Sequence, residues 1–177
     1  MPATMHMHRA LRGACLAFTL MVSPPQSAIA QLGLPAGLVD PTAPIETLHL
    51  RVKVAGAEAP VAAGARVALI LEIEPKPSMH VYAPEQKGFV PASLRLDSNP
   101  KVAAKPAIFP KGETVTVAGE TQIVFSQPFR VEVPVTVAAG QAPGPVIVSG
   151  TFEYQACDDR VCYAPKKVAV SWPLTVR

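Results

Sequence analysis

VIVSGTFEYQACDDRVCYAPKKVAVSWPLTV, residues 146–176, is the stretch on which the fold turns. At its start Val146, Val148, Phe152 and Tyr154 alternate with Ser149, Thr151 and Glu153. At its end Val168, Val170, Trp172 and Leu174 alternate with Ser171 and Thr175. Successive side chains of an extended chain point to opposite faces, so a period of two marks a half-buried strand. Two such strands joined by a short polar connection predict a hairpin. Asp158, Asp159, Arg160 and Val161 fall at its turn, with Cys157 and Cys162 on opposite arms. Directly opposed residues of an antiparallel pair stand about 4.5–5.5 Å apart at Cα, within the span of a disulfide, so the two sulfurs can pair.

The same alternation recurs upstream. Leu48, Leu50, Val52 and Val54 interleave with Thr47, His49, Arg51 and Lys53; Val67, Leu69, Leu71 and Ile73 repeat it, as do Phe129, Val131, Val133, Val135 and Val137. Pro134 has no N–H to give to a ladder and therefore points to an edge strand or a bulge there. Shorter runs at Ser93–Leu96 and Gln122–Phe125 fit further strands. Helical periodicity is nowhere sustained, and the 20 prolines recur too often for long helices. Several short strands separated by turn signals predict an all-β chain, an immunoglobulin-like antiparallel β-sandwich.

The first 30 residues have the composition of a secretory signal: Arg9 and Arg12 with no acid, an apolar run from Ala14 to Val22, then Ala28-Ile29-Ala30 as a small-x-small cleavage site. That apolar run is too short to span a bilayer as a helix, so the chain is expected to have no membrane span of its own. Cys15 lies inside it and is expected to be removed with it, leaving Cys157 and Cys162 as the only thiols in an oxidising compartment. Residues 31–44, rich in Gly, Pro and Ala without periodicity, read as a flexible linker, and residues 45–177 as one domain. Cleavage removes two of the 16 basic residues and none of the 13 acidic ones. So balanced a chain gives no reason to expect nucleic acid or an anionic membrane as partner.

The purpose of a Cys157–Cys162 bond can be weighed from its loop. Closing roughly six residues removes only about 2 kcal/mol of unfolded-state entropy, against about 4 for fifty or more. A bond tying a hairpin to itself is a poor staple and suits a labile or catalytic disulfide. A structural bond is nevertheless the commoner fate of paired cysteines in exported chains, and spacing alone leaves both readings open.

The string Tyr154-Gln155-Ala156-Cys157-Asp158-Asp159-Arg160-Val161-Cys162-Tyr163-Ala164-Pro165 resembles the active-site hairpin of the N-terminal periplasmic domain of the DsbD thiol:disulfide interchange family. Met79-His80-Val81-Tyr82-Ala83 is similar to that family's histidine-x-tyrosine segment, and Gly119 with the apolar strand after it and Phe129 to Val137 extends the match. The resemblance runs from about Glu46 onward. It implies the same sandwich, protein-disulfide reductase activity and no cofactor. Cys157 and Cys162 would be the catalytic pair, Cys162 forming the mixed disulfide and Cys157 resolving it. Beside them it places His80 and Tyr82, with Tyr163, Asp158 and Asp159 on the hairpin itself. Taken alone, His80 reads as a solvated loop histidine and Tyr82 as an aromatic at the core edge. Asp158 and Asp159 disfavour a thiolate at Cys157 and Arg160 partly offsets them, though Asp is also an ordinary turn residue.

Residues 110–118 correspond to the loop that caps the disulfide in that family, where the cap carries an aromatic residue. Here the loop has none, so Val115 and Val117 are its covering candidates, with Phe89 or Tyr163 as aromatic substitutes from elsewhere. Ala164 also departs from the family, which often has a proline there. The implied partners are thioredoxin-like periplasmic proteins and a separate membrane electron transporter of the DsbD or CcdA type. Two further readings stay open: an exported immunoglobulin-like binding module with a structural disulfide, and a copper-handling periplasmic protein using Cys157, Cys162 and His80. The spacing of those three residues is a weak metal signal, and no metal site is expected.

Overall fold

The computed structural model describes residues 43–117 and 119–177; the side chain of Val117 is also outside the description. The expected signal segment, Cys15, the cleavage site after Ala30 and nearly all of the 31–44 linker lie outside the described residues. The described chain is all strand and turn: β1 (Ile45–Glu46), β2 (Leu50–Ala55), β3 (Arg66–Pro75), β4 (His80–Tyr82), β5 (Ser93–Leu96), β6 (Val102–Ala104), β7 (Glu113–Val117), β8 (Glu120–Phe125), β9 (Phe129–Val137), β10 (Gly144–Tyr154), β11 (Ala156–Cys157) and β12 (Lys166–Val176). No helix among the described residues is long and apolar enough to cross a membrane.

These strands form an immunoglobulin-like antiparallel sandwich. One sheet has the order β1-β2-β3-β9-β6, a second β12-β10-β5, and a third, smaller one β11-β4-β8-β7. The expected hairpin is the β10–β12 pair, with Val146 opposite Leu174, Val148 opposite Trp172 and Phe152 opposite Val168. Their inward residues meet Leu50, Val52, Leu69, Leu71, Val131 and Val133 of the first sheet in one continuous core. Trp172 is the largest side chain of that core, and its indole N–H donates to the Ile70 carbonyl at 2.8 Å. The one polar atom of the ring is thereby satisfied where water cannot reach it. Gly150 interrupts the apolar alternation of β10 because β5 crosses close to it: a Cβ there would stand 2.7 Å from the Arg95 carbonyl oxygen.

Two local expectations need correction, and at Pro134 the second of two alternatives holds. The alternation read through residues 46–54 breaks at Thr47–His49, where the chain reverses between β1 and β2 and pairs Ile45 with Val52. The Thr47 hydroxyl accepts the N–H groups of His49 and Leu50 at 3.2 and 2.9 Å, and the Thr47 N–H donates to Leu50 O at 2.9 Å. The turn inverts the pattern: Leu48 is 72% exposed and His49 is 1% exposed. Pro134 is not on an edge strand, since β9 lies between β3 and β6. Its carbonyl accepts from Lys105 N and Glu132 exchanges two bonds with Ile108, so three residue steps face two of β9. Pro134 sits opposite that bulge, where no donor is needed. Finally, most of the stretch read as a loop, residues 110–118, is strand β7, paired along its length with β8 from Glu113↔Val124 to Val117↔Glu120.

Candidate functional site

The site begins where β10 and β12 part. Tyr154↔Lys166 is their last pair, and beyond it the chain crosses to the small sheet, where Ala156 pairs with Val81 and Cys157 with His80. The turn that follows is built by Asp158. Its N–H donates to the Val161 carbonyl at 2.9 Å, and its Oδ1 accepts the N–H groups of Arg160 and Val161, both at 2.7 Å. Its Oδ2 accepts the Tyr163 hydroxyl at 2.8 Å. The Arg160 N–H and then the Tyr163 hydroxyl hold the Asp158 carboxyl below the usual carboxylate range, and the same bond raises Tyr163. With the turn so fixed, Cys157 and Cys162 oppose each other at a Cα separation of 4.0 Å and are joined by a disulfide.

The bond is asymmetric. Cys157 is 1% exposed, whereas Cys162 and its neighbour Val161 are exposed. Cys157 is buried in a small cluster with Tyr82 and Val124, against which Phe89 and Val115 pack. The Tyr82 hydroxyl stands 3.1 Å from the Cys157 sulfur and 3.3 Å from the Cys162 sulfur. A disulfide has no S–H, so the tyrosine must be the donor in both contacts. Burial, then the charge of Glu120, raises the Tyr82 pKa and keeps that proton in place. Phe89 stacks on the tyrosine ring at 4.2 Å and 19°.

His80 lies directly opposite Cys157 in the ladder, is 8% exposed, and meets the Tyr82 ring edge-on at 6.2 Å. Its Nε2 is buried without a hydrogen-bond partner among the described residues. Burial lowers its pKa more than Asp159 and Asp158 raise it, which favours the neutral imidazole. Asp159 is exposed on the turn. Tyr163 tilts its ring over His49 at 4.5 Å. Of the apolar residues considered as covers, Val115 and Phe89 both reach the Cys157 cluster.

Two participants were not among the expected site residues, although Gln155 belongs to the string that carries the resemblance. The Gln155 side chain accepts the Val90 N–H at 3.0 Å and donates to the Tyr163 carbonyl at 3.1 Å. It lies between the end of β10 and the start of β11. His49 is buried beneath Tyr163, with its Nδ1 3.5 Å from the Tyr154 hydroxyl, which in turn lies 3.0 Å from the Thr47 hydroxyl. Burial, then the charges of Lys166 and Lys76, lowers the His49 pKa. Among the described residues no three His, Cys, Asp or Glu side chains come together as a metal site.

Fold and site together define an immunoglobulin-like sandwich that presents a disulfide with one cysteine buried and one exposed. Residues 50–172 match the family model described as thiol:disulfide interchange protein DsbD, N-terminal, and the chain belongs to that family. Among solved structures it is similar to the N-terminal periplasmic domain of ScsB from Proteus mirabilis, at 16% identity over 76% of this chain and 50% of that one, with a TM-score of 0.48. It thus spans half the length of that protein's solved chain. It is also similar to the reduced N-terminal domain of Neisseria meningitidis DsbD, at 17% identity over 65% and 86% of the two chains, TM-score 0.42. The GAE domain of GGA2p from Saccharomyces cerevisiae matches at 9% identity over 74% and 96%, TM-score 0.42. No curated protein matches the chain.

Proposed function

We propose that this protein is a periplasmic dithiol/disulfide carrier. It takes electrons from a thioredoxin-like or DsbD/CcdA-type donor and passes them to disulfides of exported proteins. The observation that carries this reading is the one-sided burial of the Cys157–Cys162 bond. Exchange proceeds when a thiolate attacks one sulfur and expels the other. A donor thiolate attacks the exposed Cys162 sulfur, the S–S bond breaks, and its electron pair leaves on Cys157. The Tyr82 hydroxyl donates to the thiolate that forms there. Cys157 then takes up a proton, with His80 as the relay at the opposite strand position. The donor's second thiol attacks the mixed disulfide, releasing Cys162 and leaving the donor oxidised, so two electrons and two protons have moved. Passing them on runs the sequence backwards: Cys162 attacks the substrate disulfide and Cys157 resolves the mixed disulfide. The charges of Asp158 and Asp159 disfavour a free thiolate between encounters. Export through residues 1–30 with cleavage after Ala30, a linker at 31–44 and a redox domain at 45–177 complete the proposal.

The test is thiol trapping after equilibration in graded redox buffers, with circular dichroism alongside. A carrier pair is expected to reduce above about −300 mV, where structural disulfides stay oxidised, and with the β-sheet signal intact. A pair that yields only below that value, or whose reduction abolishes the sheet signal, is a structural bond. Roles are separated by single variants: Cys157→Ser is expected to trap a thioredoxin-like partner through Cys162, and Cys162→Ser to trap far less. Equal trapping by both would overturn the assignment of Cys162 as the attacked sulfur.

A further inference from the structure

One part of the wall over the Cys157 cluster, Phe89, is delivered by the chain between Ala83 and Ala92. That loop is fastened at its base: Ala92 N donates to the Tyr82 carbonyl at 2.8 Å, Ala83 N to the Ile123 carbonyl at 2.9 Å, and Gln86 Oε1 accepts from Ile123 N at 2.6 Å. Towards its far end it carries Phe89, which stacks on Tyr82 and packs against the Cys157 cluster. There Gln155 reaches across. Its Oε1 holds the Val90 N–H, its Nε2 holds the carbonyl of Tyr163, the residue after Cys162, and its own backbone carbonyl accepts the Tyr82 N–H at 3.4 Å. One residue therefore ties all three: its side-chain amide holds the aromatic loop and the outer arm of the cysteine hairpin, and its backbone carbonyl holds the tyrosine strand. The amide suits this place because it offers a donor and an acceptor at once, without charge.

We propose that Gln155 is a positioning residue, the latch that keeps Phe89 and Tyr82 against Cys157 so that thiol exchange reaches the pair only at Cys162. The proposal rests on the carrier reading for its purpose, but the shielding it describes is a property of the fold. A sulfur under two aromatic rings is closed to a small disulfide, while one on an exposed turn is open to it. Losing the two side-chain bonds of Gln155 releases the loop end and uncovers Cys157, whereas Cys162 is exposed with or without them.

The test uses the full chain with one cysteine of the hairpin retained at a time, reacted with glutathione disulfide. The retained thiolate displaces one glutathione thiolate and keeps the other glutathione as a mixed disulfide, so electrons balance without a further reagent. With Cys157 retained (Cys162→Ser), Gln155→Met is expected to speed its reaction roughly tenfold, the order that two lost hydrogen bonds give. Phe89→Ala is expected to do the same, and the two together no more than the larger alone. With Cys162 retained (Cys157→Ser), Gln155→Met leaves the rate unchanged. Val90→Pro deletes the N–H at the other end of the latch and is expected to repeat the result if Gln155→Met folds poorly. Equal acceleration of both cysteines, factors for Gln155→Met and Phe89→Ala that multiply, or no acceleration from Gln155→Met or Val90→Pro would overturn the latch. A pair that exchanges with no dithiol protein, yet shows these glutathione rates, would sink the carrier reading and leave the latch standing.

Discussion

Tyr82 is the residue on which the chemistry leans most, because one buried hydroxyl faces both sulfurs. Tyr82→Phe keeps the ring that Phe89 stacks on and removes only the donor. A hydrogen bond to a charged group is worth about 1.5–3 kcal/mol, so exchange through Cys162 should slow by roughly ten- to a hundred-fold, with thermal stability little changed. Stopped-flow reduction of the oxidised protein by a dithiol measures it; an unaltered rate would remove Tyr82 from the mechanism. His49 makes a prediction of a different kind. Its folded pKa lies below its unfolded value because burial penalises the charged ring, with Lys166 and Lys76 adding to the effect. The unfolded chain therefore binds the proton more readily, so the stability is fully present above about pH 6.5 and is lost as pH falls through the folded pKa. Urea midpoints at pH 7.5 and 5 should drop on acidification. His49→Phe, which keeps a ring under Tyr163, should flatten part of that slope, the rest belonging to His80, whose pKa is lowered chiefly by the same cause. If the variant retains the whole slope, His49 does not titrate in this way.

Among the elements, β7 is the one whose place matters most to the site, since Val115 packs from it onto the Tyr82–Val124–Cys157 cluster. Its approach depends on Gly112. A Cβ there would stand 2.5 Å from the Ala83 Cβ and 2.7 Å from Ile123 Cγ2, so even alanine has no room. Gly112→Ala should therefore destabilise the protein by about 1–3 kcal/mol as an overpacking change, read as a lower urea midpoint at unchanged slope. A variant as stable as the parent would show that β7 can shift freely. The strands themselves were largely readable: β9, β10 and β12 each show the alternation over nine residues, and β3 shows it except at Ile70, buried between Leu69 and Leu71. The errors fell where a period of two says nothing. Thr47–His49 looks like a strand because its polarity alternates, yet the Thr47 hydroxyl offers the backbone a turn instead. Glu113–Val117 alternates Thr and Val well enough for a strand, and only its alignment with a known loop argued otherwise.

For the whole molecule the question is what the disulfide contributes beside the core. A loop of this size is worth about 2 kcal/mol to the folded state, whereas the sandwich core runs unbroken from Leu50 to Val176. Reduction should accordingly lower the unfolding free energy by about 2 kcal/mol and leave the β-sheet spectrum in place. Trp172→Phe should cost more, about 2–4 kcal/mol, because it empties part of the core and removes the indole bond to the Ile70 carbonyl. Chemical denaturation of both proteins, oxidised and reduced, gives the comparison. Reduction that unfolds the parent outright would reverse the ranking.

By itself the sequence determined that this protein is a sandwich, because inward and outward faces are written locally, residue by residue, along each strand. The two cysteines and the turn between them were determined in the same way, by four polar or small-loop positions between two apolar runs. Only the tertiary structure decided which sulfur is buried. Residues 155–165 leave the β10–β12 ladder, so the period of two no longer assigns a face, and Cys157 takes its burial from β4 and β8. Residue patterns did not bring Tyr82 to the sulfurs, a placement that the family resemblance alone implied, and only the tertiary structure brought Val90 to Gln155 and His49 beneath Tyr163. Those partners stand 75, 65 and more than 100 residues apart in the chain. A local pattern states that a face is apolar; which distant side chain meets it depends on how the sheets close over the core.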